Sequence, residues 1–335
     1  MENASDTIET GTAGQEMTIW VMTDGRAGNV VSARGLADAV GLPYVEKVIA
    51  LARPHVWMPP ALWVFRSLGI DRSGSDPVEP PWPDLIISCG RRAVGTVLEI
   101  KRRSGGRTHT VHIQDPHVDL SRFDLIAAPA HDNLSGPNVV TTLGGLNSVN
   151  GARLSTARDV WRDRLQVLPE PRIAVLIGGR SRAYDFTRAD AEMLAGQLLD
   201  LQRATGGGLM ITASRRTGAD AGELLRERLS GADIDFWDGQ GDNPYLGYLA
   251  WADHLIVTGD SVNMTSEALA TGRPVHTVAM RPIGNRAKKF ECFHESLRKA
   301  GLTRPFDGTL TGTARPPLRE TETVAARVRE MILRT

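Results

Sequence analysis

Apolar residues follow two rhythms along this chain. Short runs at 18–22, 84–88, 110–113, 123–127, 172–177, 209–212, 255–257 and 275–278 are bounded by Gly, Pro and polar turns. Between them, 30–40, 93–101, 187–203, 221–229 and 263–270 carry apolar positions at helical spacing. Short unbroken runs read as strands covered on both faces, and the longer period reads as amphipathic helix. Strand and helix in alternation require parallel strands joined by crossover helices.

Breaks in the pattern divide the chain. Gly41 with Pro43, Gly206–Gly208, and Gly272 with Pro274 stop helices, since Gly accepts a left-handed cap and Pro cannot extend the ladder. Segments 44–51, 139–142 and 234–237 complete the strands, 73–83 is a linker, and 159–167 is a short connecting helix. Leu168-Pro169-Glu170-Pro171 is the expected junction between two α/β series. The predicted fold class is therefore α/β, with two doubly wound Rossmann-like lobes facing across a cleft. Residues 17–168 form the N-terminal lobe and 169–319 the C-terminal lobe, followed by an amphipathic helix within 320–335. Residues 1–16, acidic and without an apolar core, are expected to be a disordered tail rather than a signal peptide or anchor.

Composition narrows the classes. Lysine plus arginine and aspartate plus glutamate both number 39, so net charge offers no case for nucleic acid. The two cysteines, Cys89 and Cys292, lie too far apart for metal-type spacing and imply no disulfide framework. No apolar run approaches the roughly 20 residues needed to span a bilayer. A cytoplasmic protein is expected. The aromatic stretch holding Trp57, Met58, Trp63, Val64 and Phe65, flanked by Arg53 and Arg66, has two readings: packing under a loop, or peripheral contact with the inner membrane.

Candidate chemistry collects where strands end. After 255–257 come Asp260 and Ser261, then a helix whose first turn holds Asn263, Thr265 and Ser266. Free N–H groups and these side chains suit a phosphate. Glu267 beside them suits a ligand that also carries hydroxyls, as ribose does; the other reading is that Ser266 and Glu267 only cap the helix. Gly178-Gly179-Arg180-Ser181-Arg182 is a second anion loop, since Gly admits close approach and Arg binds phosphate in bidentate fashion. Ser214 and Arg215 repeat a polar, basic strand exit, and Asn243 precedes Tyr245, which either stacks on a base or packs in the core. In the first half, Asp24, Gly25 and Asn29 occupy the loop after the first strand. Asp115 and His117 end another strand, where either could be a general base or simply part of a stiff turn. Arg281, Asn285, Arg286, Lys288 and Lys289 form a basic loop beyond the last of these helices.

The run MTSEALATGRP, from Met264, resembles the donor-site signature of GT-B glycosyltransferases of the MurG type. From TDGRAGN at Thr23 through CGRR, QDPH, IGGRSR, SRRTG and NPYLGYLAWAD, the chain is similar to bacterial relatives of the plant "elongated mitochondria" fission protein. The resemblance implies that Glu267 binds the ribose of a nucleotide sugar and that its turn binds the diphosphate. It also implies that the last helix returns to the first lobe. On this basis the leading expectation is a metal-independent glycosyltransferase. It needs no cofactor beyond its nucleoside-diphosphate sugar donor, and it acts on a lipid-linked or saccharide acceptor through Asp115, His117 or Asp24. A noncatalytic scaffold of the fission family and a nucleotide-sugar epimerase are the alternatives.

Overall fold

The computed structural model describes residues 17–53, 69–237 and 239–334. Residues 1–16 and the aromatic segment 57–65 lie outside the described residues. The first lobe holds β1 (Ile19–Thr23), α1 (Ala27–Val40), β2 (Tyr44–Val48), β3 (Leu85–Cys89), α2 (Val94–Arg103), β4 (His109–Ile113), β5 (Leu125–Pro129) and β6 (Val139–Thr142). All six strands run parallel in the order β2-β1-β3-β4-β5-β6.

Helices α3 (Gly151–Val160) and α4 (Arg162–Leu165) lead to the second lobe. It contains β7 (Arg172–Ile177), β8 (Tyr184–Asp185), α5 (Arg188–Thr205), β9 (Gly208–Ala213), α6 (Ala219–Arg228), β10 (Ile234–Trp237) and α7 (Tyr245–Trp251). It continues through β11 (His254–Thr258), α8 (Val262–Leu269), β12 (Val275–Val278), β13 (Arg281–Pro282), α9 (Lys288–Lys299) and β14 (Thr303–Pro305), before α10 (Glu320–Leu333). Its parallel sheet has the order β10-β9-β7-β11-β12-β14, while β8 and β13 pair separately as an antiparallel ribbon.

The central strands are packed on two faces, which is why β1, β3, β7 and β11 are buried along nearly their whole length, whereas the edge strands β2 and β14 carry charged, exposed residues. On β7, Ala174 and Leu176 join the core beneath α7, α8 and α9, whereas Ile173, Val175 and Ile177 join the core beneath α5 and α6. β11 divides likewise, with Leu255 and Val257 on one side and Ile256 on the other. In the first lobe Val324, Ala325 and Val328 of α10 share a core with Leu36 and Val40 of α1. Arg329 Nη1 also donates to the Ala39 carbonyl at 2.6 Å. Helix α10 thus packs on the lobe that holds β1 and α1.

Two local differences from the pattern matter for the site. α1 begins at Ala27, three residues earlier than the apolar period shows, so Asn29 belongs to its first turn rather than to a loop. The connecting helix begins at Gly151, where Asn150 caps it by accepting the Arg153 N–H at 3.0 Å. Only Ala157 of α3 is buried, so that helix had no apolar stripe to reveal it.

Strand order reverses between β1 and β3 in the first lobe and between β7 and β11 in the second. Crevices at such reversals, beyond the carboxyl ends of the strands, are where open α/β sheets bind ligands. Among the described residues no helix is long and apolar enough to cross a membrane.

Candidate functional site

At the reversal in the second lobe, β7 runs into Gly178-Gly179 and β11 into Gly259-Asp260. The Asp260 side chain is fully buried. It accepts the Gly179 N–H at 3.1 Å, the Thr258 hydroxyl at 2.7 Å and Arg216 Nη2 at 2.5 Å. Thr258 Oγ1 in turn accepts the Gly178 N–H at 2.7 Å, and the hydroxyls of Ser214 and Thr217 both donate to the Gly178 carbonyl. Three strand ends are therefore tied in one polar knot. Only glycine fits here: a Cβ on Gly178 would lie 2.2 Å from Asp260 Oδ1. Gly179 has φ of +145°, and its Cβ would lie 2.2 Å from the Arg216 carbonyl oxygen. The outcome is a guanidinium, half exposed, anchored by a buried carboxylate at the mouth of the crevice.

A cavity of about 590 Å³ opens beside the knot, walled by Ser214, Arg215, Trp237, Asn243, Tyr245 and Met264 among others. Its size falls in the range of ligand pockets. Asn243 Oδ1 accepts the Tyr245 N–H at 3.0 Å, setting the start of α7. The Tyr245 phenol donates to the Glu267 carboxyl. Both side chains are partly buried, and loss of water is the largest influence on each. It lifts Glu267 to about 7, against the lowering effects of the Tyr245 hydroxyl and of Arg153. It also raises the Tyr245 phenol well above its ordinary value, with the Glu267 charge adding to the effect.

Several hydroxyls at the start of α8 are already committed. Ser261 caps the helix by accepting the Met264 N–H at 3.3 Å. Thr265 donates to the Ser261 carbonyl at 2.9 Å. Ser266 donates to the Val262 carbonyl at 2.8 Å and accepts the Gly145 N–H of the other lobe at 2.7 Å. Asn263 Nδ2 reaches the Gly28 carbonyl at 3.4 Å. The N–H groups of Gly178 and Gly179 and the Ser214 hydroxyl serve the knot. Ser181 Oγ accepts the N–H groups of Ala183 and Tyr184, each at 3.1 Å. Arg180 and Arg182 are exposed, with Arg180 Nε 3.4 Å from Asp185. Positive charge at the cavity comes instead from Arg215 and Arg226 in its wall and Arg216 next to it.

In the first lobe, the buried Asp24 carboxylate accepts Asn29 Nδ2 at 2.8 Å and the Arg26 N–H at 3.3 Å. Asn29 Oδ1 accepts Gln114 Nε2 at 3.3 Å, and the Gly25 N–H donates to Thr23 Oγ1 at 3.2 Å. These residues bind one another around the start of α1. Asp115 accepts the His117 N–H at 2.7 Å and lies 3.0 Å from its Nδ1, so the pair closes a turn on itself. Neither lines the 590 Å³ cavity nor a smaller one of about 240 Å³ between the lobes. Gln114, one residue earlier and at φ of +80°, does line the smaller one.

That interlobe cavity brings together three first-lobe residues that the sequence pattern did not single out, His131, Asp132 and Gln114, with Lys289 of the basic stretch and Asn263 facing them from the second lobe. His131 and Asp132 follow β5 directly, so the rule that strand ends carry chemistry pointed at them as much as at Asp115. The pairing of Asp260 with Arg216 was hidden because nothing in their spacing shows that β9 and β11 flank β7. A 320 Å³ cavity also lies along the outer side of α2, walled by Asp76, Glu79, Trp82 and Glu99, away from both strand-order reversals. Among the described residues no group of three or more His, Cys, Asp or Glu could hold a metal ion.

The family model described as Mitochondrial fission ELM1 matches residues 27–332. The chain belongs to this mitochondrial fission ELM1 family. The mitochondrial fission protein ELM1 of Arabidopsis thaliana is 32% identical over 289 residues, which cover 78% of this chain and 66% of the plant protein, just under two thirds of its length. Among solved structures, the UDP-GlcNAc 2-epimerase of Methanocaldococcus jannaschii, in complex with UDP-GlcNAc and UDP, superposes with a TM-score of 0.53 at 11% identity. The match covers 94% of this chain and 100% of that one. MurG of Acinetobacter baumannii gives 0.49 at 13% identity, over 95% and 92% of the two chains. At such identities the likeness is one of fold. This ELM1-family chain has the GT-B architecture, with a parallel sheet of six strands in each lobe.

Proposed function

We propose that this protein binds a nucleoside-diphosphate sugar across the joint of its lobes and transfers the sugar without a metal. The observation that supports the reading is the 590 Å³ cavity at the C-terminal ends of β9 and β10, adjoining the crevice where α8 opens and the anchored Arg216 stands. Trp237, Tyr245 and Met264 supply apolar surface for a base, with Asn243 as a polar contact. The Glu267 carboxylate exchanges the Tyr245 phenol for ribose hydroxyls, since a diol donates two hydrogen bonds where the phenol donates one. The diphosphate lies across the first turn of α8, where backbone N–H groups and the guanidinium of Arg216, with Arg215, oppose charge building on the leaving oxygen. Glycosyl transfer of this kind puts the acceptor, a lipid-linked or free saccharide, against the first lobe.

The test is calorimetric titration with UDP-GlcNAc, UDP-glucose, GDP-mannose and dTDP-glucose. Binding of one of them, weakened at least tenfold by Glu267→Ala, is expected. A chain that binds none of the four, or that binds equally well without Glu267, does not work this way. The second reading, a noncatalytic adaptor, is favoured by membership of a family whose plant member is a fission protein. It predicts no release of free nucleotide from any donor that binds.

A further inference from the structure

The cavity between the lobes has a wall built differently from the rest of the cleft. The Asp132 side chain is 2% exposed, and its Oδ1 takes Lys289 Nζ from the opposite lobe at 2.6 Å. His131 Nε2 stands 3.8 Å from the same oxygen. Asp132 Oδ2 is buried and has no hydrogen-bond partner. A carboxylate oxygen held out of water without a donor is costly, and Lys289, held on Oδ1, does not satisfy it. An O–H or N–H group brought by a ligand would satisfy it. The His131 ring is nearly buried and lies edge-on to Phe293, with centroids 5.6 Å apart, so it walls the Oδ1 side of the carboxylate. Burial lowers its pKa, with Lys289 assisting and Asp132 opposing, and it stands neutral beside the carboxylate.

Position relative to the larger cavity adds the second argument. Asn263 and Met264 are consecutive in the first turn of α8; Asn263 lines the interlobe cavity and Met264 the 590 Å³ one. A diphosphate crossing that turn from a nucleoside on the Met264 side delivers its sugar to the Asn263 side. At about 240 Å³ the interlobe cavity is smaller than the ~300 Å³ at which pockets for whole ligands begin, and it suits a sugar ring or an acceptor's reacting end.

We propose that Asp132 is the general base of this site, its Oδ2 receiving the proton of an acceptor hydroxyl. The inference rests on the nucleotide-sugar reading. In the step, the acceptor oxygen forms a bond to the anomeric carbon as the bond from that carbon to the diphosphate oxygen breaks. The electron pair leaves with the nucleoside diphosphate, and the hydroxyl proton passes to Asp132 Oδ2. Lys289, pairing with Oδ1, links the two lobes across the reacting atoms. His131 is a positioning residue that shields the carboxylate from water.

The experiment uses the full chain with whichever of the four nucleotide sugars binds, water serving as the acceptor. Two quantities are measured in the wild type and in Asp132→Asn: donor affinity by calorimetry and release of nucleoside diphosphate over time. General base catalysis contributes about 10²–10⁴-fold, so Asp132→Asn is expected to lower release by roughly that factor with donor affinity changed less than about threefold. Equal, measurable rates in the two proteins with donor bound in both overturn the inference while the nucleotide-sugar reading stands; zero rates in both overturn the inference and the transfer step together and leave donor binding alone, as the adaptor reading predicts. Absence of donor binding by the wild type overturns both. Should Asp132→Asn not fold, Asp132→Glu, which keeps the charge and the Lys289 pair but displaces the oxygen, is read by the same criteria. A dependence of the wild-type rate on one carboxylate, lost in Asp132→Asn, separates a base from a structural role.

Discussion

The backbone N–H of Gly145 in the first lobe donates to the Ser266 hydroxyl in the second at 2.7 Å, so the serine that looks most like a phosphate ligand is a bridge between lobes. Ser266→Ala leaves that N–H without its acceptor and is expected to cost about 1 kcal/mol. Nucleotide affinity should change less than about twofold, since the hydroxyl has no part left for phosphate. Chemical denaturation and calorimetry on the same sample decide the matter; a large affinity loss with unchanged stability returns Ser266 to the ligand.

Gly178 faces the buried carboxylate of Asp260 with no space for a methyl group. Gly178→Ala must displace either the loop or Asp260, and the expected loss is about 3 kcal/mol, the upper range for overpacking. The midpoint of urea unfolding reports it. A shift equivalent to less than about 0.5 kcal/mol, the range of ordinary surface changes, contradicts the knot described at this reversal.

Arg216→Ala strips Asp260 of its cation. Because the guanidinium is half exposed and two other donors remain on the carboxylate, about 2 kcal/mol of stability is at stake rather than the full cost of an isolated buried charge. Arg216→Lys should recover part of that stability but little nucleotide affinity, because an ammonium does not copy the planar fork. Full recovery of binding by lysine excludes a bidentate role for Arg216.

Glu267 makes a pH prediction. Its carboxyl is raised from 4.5 to about 7 in the folded chain, so the fold favours the protonated form. That stabilisation is complete below the unfolded value and is lost as pH rises through 7. Glu267→Gln stays neutral and can still accept the Tyr245 hydroxyl. It should match the wild type near pH 4 and exceed it near pH 8 by on the order of 2 kcal/mol, after allowance for partial solvent access. In the wild type, nucleotide affinity should rise with pH through 7, as the ionised carboxylate is the form that takes ribose hydroxyls; in Glu267→Gln it should be flat. Parallel stability curves from pH 5 to 8 defeat this account.

What the linear chain settled by itself was the architecture. Unbroken runs such as Arg172–Ile177 can only be strands covered on both faces, and helices between them force those strands parallel, so two doubly wound sheets were legible before any coordinates. It also pointed to strand exits, because that is where such sheets leave backbone and polar groups free. Strand order and partner choice are another matter. Whether β11 lies next to β7, and so whether Asp260 meets Gly178 and Arg216, depends on long-range pairing that no local period encodes. The same holds for hydroxyls: Thr265 and Ser266 read as free donors in one dimension, yet the helix carbonyls and the Gly145 N–H claim them in three. Asp132 acquires its meaning only when Lys289, 157 positions later in the sequence, arrives from the other lobe. Hydrophobic periodicity is a local property and survives in the sequence, whereas the satisfaction of buried polar groups is decided by neighbours that only folding supplies.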